Sequence, residues 1–293
     1  MELRRVMAGI GRTLIALGVL ILLFVAYQLW GTGLAEARSQ DKLRQDLEGV
    51  LPVTPARPSS PPTTAAAPPP APQGEAVAIL RIPKIGVDKA IVEGVGLRDL
   101  KKGPGHYPTT PLPGQPGNAA IAGHRTTYGA PFYNLDDLDK GDDILVTTRQ
   151  GRFRYQVTDK MVVKPSETKV LDATTEARLT LTTCNPRFSA SQRLIVVAAL
   201  QGQAAPAPPP PPRGSPAAAR PTTLDDDTDL SGASAANGPA LLWGFLAALV
   251  AGLTWLASVL WRRWPSYLLG APVFLVVLFV FFENFSRLLP SNF

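Results

Sequence analysis

Two kinds of apolar patterning alternate along this chain. Continuous apolar runs occupy about residues 14–30, 241–261 and 267–282. Each is near the roughly 17–25 residues that a membrane-spanning helix needs. The third is the shortest and Pro272 interrupts it, so a buried or interfacial helix is the competing reading there. Ala35-Glu36-Ala37, after the first run, resembles a signal-peptide cleavage site. The run exceeds the ~7–15 residues of a signal core, which favours an uncleaved anchor.

Between the first and second runs the pattern becomes short and β-like. "AVAILRIP" and "VDKAIVEG" read as a strand pair around Lys84-Ile85-Gly86, and "NAAIAGH" as a further strand. "DILVTT" and "RFRYQVTDKMVV" read as a hairpin around Gln150-Gly151, and "ARLTLTTC" and "RLIVVAAL" complete the set. Strand-length runs separated by Gly, Pro and Asp turns predict an all-β barrel or sandwich over residues 75–202. Short helices fit only near 97–101 and 131–138.

Composition frames this domain. The chain has 30 prolines in 293 residues, and they concentrate in Pro/Ala-rich stretches at 52–74 and 203–221. Such stretches favour disordered or extended polyproline spacers of about 3.1 Å per residue. Residues 224–238 continue the second spacer as an acidic stretch that lacks the spacing and closing glutamate of a calcium loop. The expected organisation is a cytoplasmic N-terminus with a transmembrane anchor (1–31), a Pro/Ala-rich linker (32–74) and a β domain (75–202). A Pro-rich and acidic linker (203–239), two transmembrane helices (240–285) and a tail (286–293) follow.

Charge orients this arrangement. Arg4, Arg5 and Arg12 precede the first run, and Arg262 and Arg263 lie between the second and third. By the positive-inside rule the N-terminus and that turn face the cytoplasm, and residues 31–239 lie outside. Trp30, Trp243, Trp261 and Trp264 fall near run ends, where interfacial aromatics belong. The net charge of +6 sits largely beside the apolar runs, and no basic block interleaves with aromatics, which argues against nucleic acid as a partner. One cysteine excludes an intrachain disulfide and a multi-cysteine metal site. With two histidines as well, neither a metal nor a cofactor is expected.

The lone Cys184 ends "RLTLTTC", in phase with Thr180 and Thr182 and out of phase with Leu179 and Leu181. A free cysteine is often a small buried hydrophobe. At a strand terminus on the polar face it is placed as a reacting group would be. Arg193 opens the next strand, and if the two lie side by side the pair meets at one end of the sheet. His124 likewise follows a strand and a glycine, in "NAAIAGHR". His106 lies in a Pro/Gly-rich loop with no strand to fix it and reads as structural. Cysteine, histidine and arginine can supply a nucleophile, a proton carrier and an oxyanion partner.

"TLTTC" at 180–184 resembles the TLxTC signature of sortases, the cysteine transpeptidases of Gram-positive cell surfaces. The resemblance covers about 75–202, with a histidine upstream and an arginine on the following strand. "GNAAIAGHRTTYGAPF" and "LTLTTCNPRFSASQR" are most similar to the class E group of high-GC actinobacteria. The resemblance implies a closed eight-stranded β-barrel in which Cys184 attacks the Thr–Gly bond of an LPxTG-like or LAxTG-like sorting signal. It implies that His124 protonates the leaving amine and that Arg193 stabilises the oxyanion. Thr182, Thr183 and Asn118 are the expected substrate-binding residues. The implied partners are surface proteins with C-terminal sorting signals, a peptidoglycan-precursor amine and membrane lipid. No pilin-type Asp-Pro-aromatic lid motif precedes residue 75, which favours an open groove, and "LDDLDKGDDI" reads as a helix end and turn rather than calcium ligands. With reference pKa values near 8.5 and 6.5, about 3% of thiol is ionised and about a quarter of imidazole protonated at pH 7. A hydrolase using the same thioester, and a membrane-tethered binding module with a degenerate site, remain open.

Overall fold

The computed structural model describes residues 2–51, 71–207, 233–260 and 263–285. Most of both Pro-rich linkers, Arg262 and the tail 286–293 lie outside the described residues. The chain divides into a helical unit, 1–32 with 229–291, and a β unit within 33–228.

The β unit is a closed barrel of eight strands. They are β1 (Ala76–Ile82), β2 (Val87–Glu93), β3 (Gly105–His106), β4 (Asn118–Ala122), β5 (Asp143–Thr148), β6 (Gly151–Val163), β7 (Arg178–Asn185) and β8 (Gln192–Gln201). Around the barrel the order is β1-β2-β3-β4-β7-β8-β6-β5. Only the β2–β3 and β4–β7 pairings are parallel. Alternation explains the closure. Leu80, Ile82, Ile91, Ile121, Leu179 and Leu181 point into one buried cluster, each contributing about 1.5–3 kcal/mol on burial. Tyr155 joins this core with its hydroxyl accepting a bond from Gly114 N at 2.6 Å, and burial raises its pKa.

Seven strands follow the sequence pattern, and the eighth does not. β3 is two residues long, too short to show a period, and it holds His106 in a ladder rather than in a loop. Gly105 pairs with Val92 on one side and with Ala122 on the other. A Cβ at Gly105 would collide with the carbonyl of Gly94, so only glycine permits this approach. The predicted short helices are α3 (Leu97–Leu100) and a 3-10 turn at Leu135–Asp137.

The linker predicted from residue 32 also needs correction. Helix α2 (Thr32–Leu47) occupies its first part. Leu43 and Leu47 pack with Ala76, Ile79, Ala90 and Val92 on the outside of β1 and β2. The Gln40 amide accepts from Ala90 N at 2.7 Å and donates to Ala90 O at 3.0 Å and Lys102 O at 2.9 Å. It thereby continues the β2 edge where the short β3 stops, leaving those backbone groups satisfied. At the other boundary, Ala205 is buried and its N–H bonds Gly114 O, so the barrel keeps hold of the chain beyond 202.

The helical unit contains α1 (Glu2–Ala26), α4 (Ala233–Leu260) and α5 (Arg263–Phe285). Spans of 21, 23 and 23 residues are long and apolar enough to cross a membrane. The first runs Val6–Ala26, earlier than the sequence pattern suggested, so Arg12 lies within it. Pro272 sits inside α5 without ending it, and the third run is therefore full length. Phe24 and Tyr27 pack edge-on against Phe282 and Phe279 of α5.

Candidate active site

The candidate groups meet because of strand register. In the parallel β4–β7 pair, Ala122 lies beside Thr182. Beyond it, Gly123 N donates to Thr182 O at 3.1 Å, and the Thr183 hydroxyl donates to Gly123 O at 2.7 Å. His124 comes next, two residues past the end of β4, and Cys184 lies two residues beyond Thr182 on β7. Across the antiparallel β7–β8 pair, Cys184 lies opposite Arg193. Leu179, Leu181, Leu194 and Val196 face the core, so alternation turns Cys184 and Arg193 to the other face. Cys184 is partly exposed there.

His124 is placed with unusual economy of contacts. Gly123 precedes it because a Cβ there would sit 2.5 Å from the Phe132 ring. The Nδ1 atom is 3.4 Å from the Thr127 hydroxyl, and the ring lies 5.1 Å from that of Tyr128. The Nε2 atom is buried with no hydrogen-bond partner. Desolvation, with a smaller push from the Lys101 ammonium, lowers its pKa to about 4. At rest the imidazole is neutral. Arg193 is 3% exposed, and its Nη1 donates to the carbonyls of Ala190 and Gln192 at 2.8 and 2.7 Å.

A sortase domain model matches residues 80–201, the span that contains all three groups. These residues are a sortase domain. Sortase SrtE1 of Streptomyces coelicolor is 34% identical over 204 residues, 64% of this chain and 55% of that protein. Sortase D of Bacillus subtilis is 37% identical over 114 residues, 39% of this chain and 56% of that protein. The chain therefore spans about half the length of these curated relatives. A solved sortase E from Streptomyces avermitilis is 39% identical, covering 45% of this chain and 91% of that one, with a TM-score of 0.41.

Within the sortase domain the other expected residues separate. Thr182 shares the Cys184 face, and its hydroxyl is buried without a hydrogen-bond partner. Thr183 faces the other way and its hydroxyl is engaged by Gly123 O, so it stitches β7 to the residue before His124. Asn118 is not brought to the site. It pairs with Arg178 at the opposite end of β7, roughly 20 Å along the strand from Cys184. It is fully buried, accepting from the Thr180 hydroxyl and donating to the carbonyls of Val170 and Asp172.

One group of residues was not singled out from the sequence. Arg125, directly after His124, donates to Cys184 O at 3.1 Å and to Asn185 Oδ1 at 2.7 Å. Its Nη2 pairs with Asp136 at 2.9 Å while its Nε is buried without a hydrogen-bond partner, and Asp136 also takes Arg187 at 3.0 Å. Further along that stretch Asp139 and Asp142 pair with Lys84, and Asp143 pairs with Arg154. Among the described residues, no group of three or more potential ligands is arranged to hold a metal ion.

Proposed function

We propose that this protein is a membrane-anchored transpeptidase that cleaves a sorting signal between Thr and Gly and joins the acyl part to an amine. The observation that carries this reading is strand register: Cys184 lies opposite Arg193 across β7 and β8, and Gly123, the residue before His124, is bonded to Thr182 and Thr183 of β7. The Cys184 sulfur attacks the Thr carbonyl carbon while His124 takes the thiol proton. The C–N bond to glycine breaks as that proton passes to the leaving amine, giving a thioester. An incoming amine then attacks the thioester, loses its proton to His124, and releases the thiolate, which recovers that proton. Arg193 supplies fixed positive charge beside the oxyanion. Thr182, with an unanswered hydroxyl on the same face, is the substrate-contacting residue supported best.

The lowered histidine pKa favours one version of this chemistry. At a pKa of about 4, roughly one imidazole in a thousand is protonated at pH 7, not a quarter. A preformed thiolate–imidazolium pair is then a minor species. The proton that His124 delivers is the one it has just taken from Cys184, so the pair starts neutral and ends neutral. The three apolar helices support anchoring in a membrane, and Arg4, Arg5 and Arg263 support a cytoplasmic N-terminus with the sortase domain outside. The substrates are then surface proteins with C-terminal sorting signals, and the acceptor is a cell-wall precursor amine.

The test is to incubate the full chain in detergent with LPxTG and LAxTG peptides and a glycine-based amine, following products by mass spectrometry. Ligated product that disappears in Cys184→Ala is the expected result. Cleavage without amine incorporation would make the protein a hydrolase. The absence of any Cys184-dependent acyl-enzyme would remove the enzymatic reading.

A further inference from the structure

We infer that Arg125 is a positioning residue that fixes the spacing between Cys184 and His124, with Asp136 as the group that orients it. The inference rests on the reading of those two residues as the reacting pair. Arg125 is covalently next to His124, and its guanidinium bonds the backbone carbonyl of Cys184 and the side chain of Asn185. One guanidinium thus ties the residue after His124 to the end of β7 through Nη1, which makes both bonds, and to Asp136 through Nη2, beyond the last ladder bond where strand ends otherwise fray. The side chain is 4% exposed, so the guanidinium has little room to move.

Asp136 holds the opposite edge of the guanidinium at 2.9 Å and is itself held by Arg187 at 3.0 and 3.2 Å. Arg187 lies 4.4 Å over the Tyr133 ring and donates to Tyr133 O, anchoring this far end to the segment after His124. Desolvation works to raise the Asp136 pKa, but a backbone hydrogen bond and then the charges of Arg125 and Arg187 outweigh it, and the pKa is lowered on balance. The network therefore stays ionised wherever the domain is folded at neutral pH. It joins the loop after His124 to the loop after Cys184 through charges that share one carboxylate. Lysine cannot reproduce the arrangement, because its single ammonium cannot place one donor nitrogen on β7 and a second on Asp136.

Four variants of the full chain in detergent test this: Arg125→Gln, Arg125→Lys, Asp136→Asn and the double Arg125→Gln/Asp136→Asn. Thermal melting checks folding, and kcat and KM are read with the sorting peptide and amine. Because Cys184 is the sole cysteine, its alkylation by iodoacetamide across pH reports the thiol independently of turnover. Arg125→Gln is expected to lower kcat about 10- to 100-fold with KM changed less than about 3-fold, since misplacement by an ångström has that scale of effect. The alkylation pH profile should shift with it. Arg125→Lys should recover part of the loss. Asp136→Asn should cost less, and its effect should vanish in the Arg125→Gln background because it acts through Arg125. Folded Arg125→Gln with wild-type kcat and an unmoved alkylation profile overturns the inference, as does an Asp136 effect that simply adds. If the unmutated protein shows no Cys184-dependent turnover, the enzymatic reading fails by itself. In that case an unshifted alkylation profile in Arg125→Gln still overturns the positioning role, and a shifted one supports it.

Discussion

The two histidines flank the same strand and live under opposite conditions. His106, on β3, is 2% exposed, with Nδ1 2.9 Å from the Glu93 carboxylate and Nε2 3.0 Å from Pro111 O. His124, just past the end of β4, has a buried Nε2 with no partner and only a long contact at Nδ1. A fully answered ring is held in place by its neighbours and contributes to the fold. An unanswered ring is held neutral by desolvation and, on the proposed reading, keeps a lone pair for the Cys184 proton. Partnering separates the two roles better than burial does.

The largest effects should fall on the unanswered side. Cys184→Ala should abolish ligation, and His124→Gln should lower kcat/KM by about 10³-fold, both with nearly unchanged melting. On the answered side the pattern inverts. His106→Ala leaves Glu93 buried without its partner and should cost about 3 kcal/mol of stability. Activity per folded molecule should stay within a few-fold, measured by denaturant titration alongside turnover. An inactive but stable His106→Ala would break the comparison.

A pH titration sharpens it further. The folded pKa of His124 lies below the unfolded value of 6.5, so between about pH 4 and 6.5 the unfolded chain binds more protons. Stability should therefore rise with pH through that window, by at most about 3 kcal/mol. The slope should disappear in His124→Gln, and the acid limb of kcat/KM should fall near pH 4. An acid limb at 6.5 would mean the ring is hydrated. The smallest effect concerns Gln40, an amide of the His106 kind. Gln40→Ala should cost about 1–2 kcal/mol by opening the Ala90 edge, without changing the pH profile.

Seven strands, and the places of Cys184, Arg193 and His124 at or just past strand ends, were legible because period-two alternation and strand termini are local features, whereas the parallel pairing of β4 with β7 was not. β3 was not, because two residues carry no period and its partners lie in sequence on both sides. Helix α2 was hidden by composition. Its buried Leu43 and Leu47 are a short stripe in a charged segment that runs into proline-rich chain. Asn118 was misplaced for a related reason. It opens the strand that His124 follows, but five strand residues carry it to the other end of the sheet. Arg125 stood in plain view beside His124, yet its partners are 11 and 60 residues away and only the folded turn at Leu135–Asp137 brings the first of them near.

The parallel pairing of β4 with β7 separates two kinds of distance. Along the chain, His124 and Cys184 are joined by a long excursion through β5 and β6, and beyond the 127–136 segment that touches His124 and Arg125 its loops can change length without moving either group. In the ladder they have no such freedom. A single residue inserted within β4 or β7 would rotate one partner to the opposite face of the sheet. Variation among natural or laboratory versions of this domain should therefore accumulate in loop length, while the count of residues from Asn118 to His124 and from Arg178 to Cys184 stays constant.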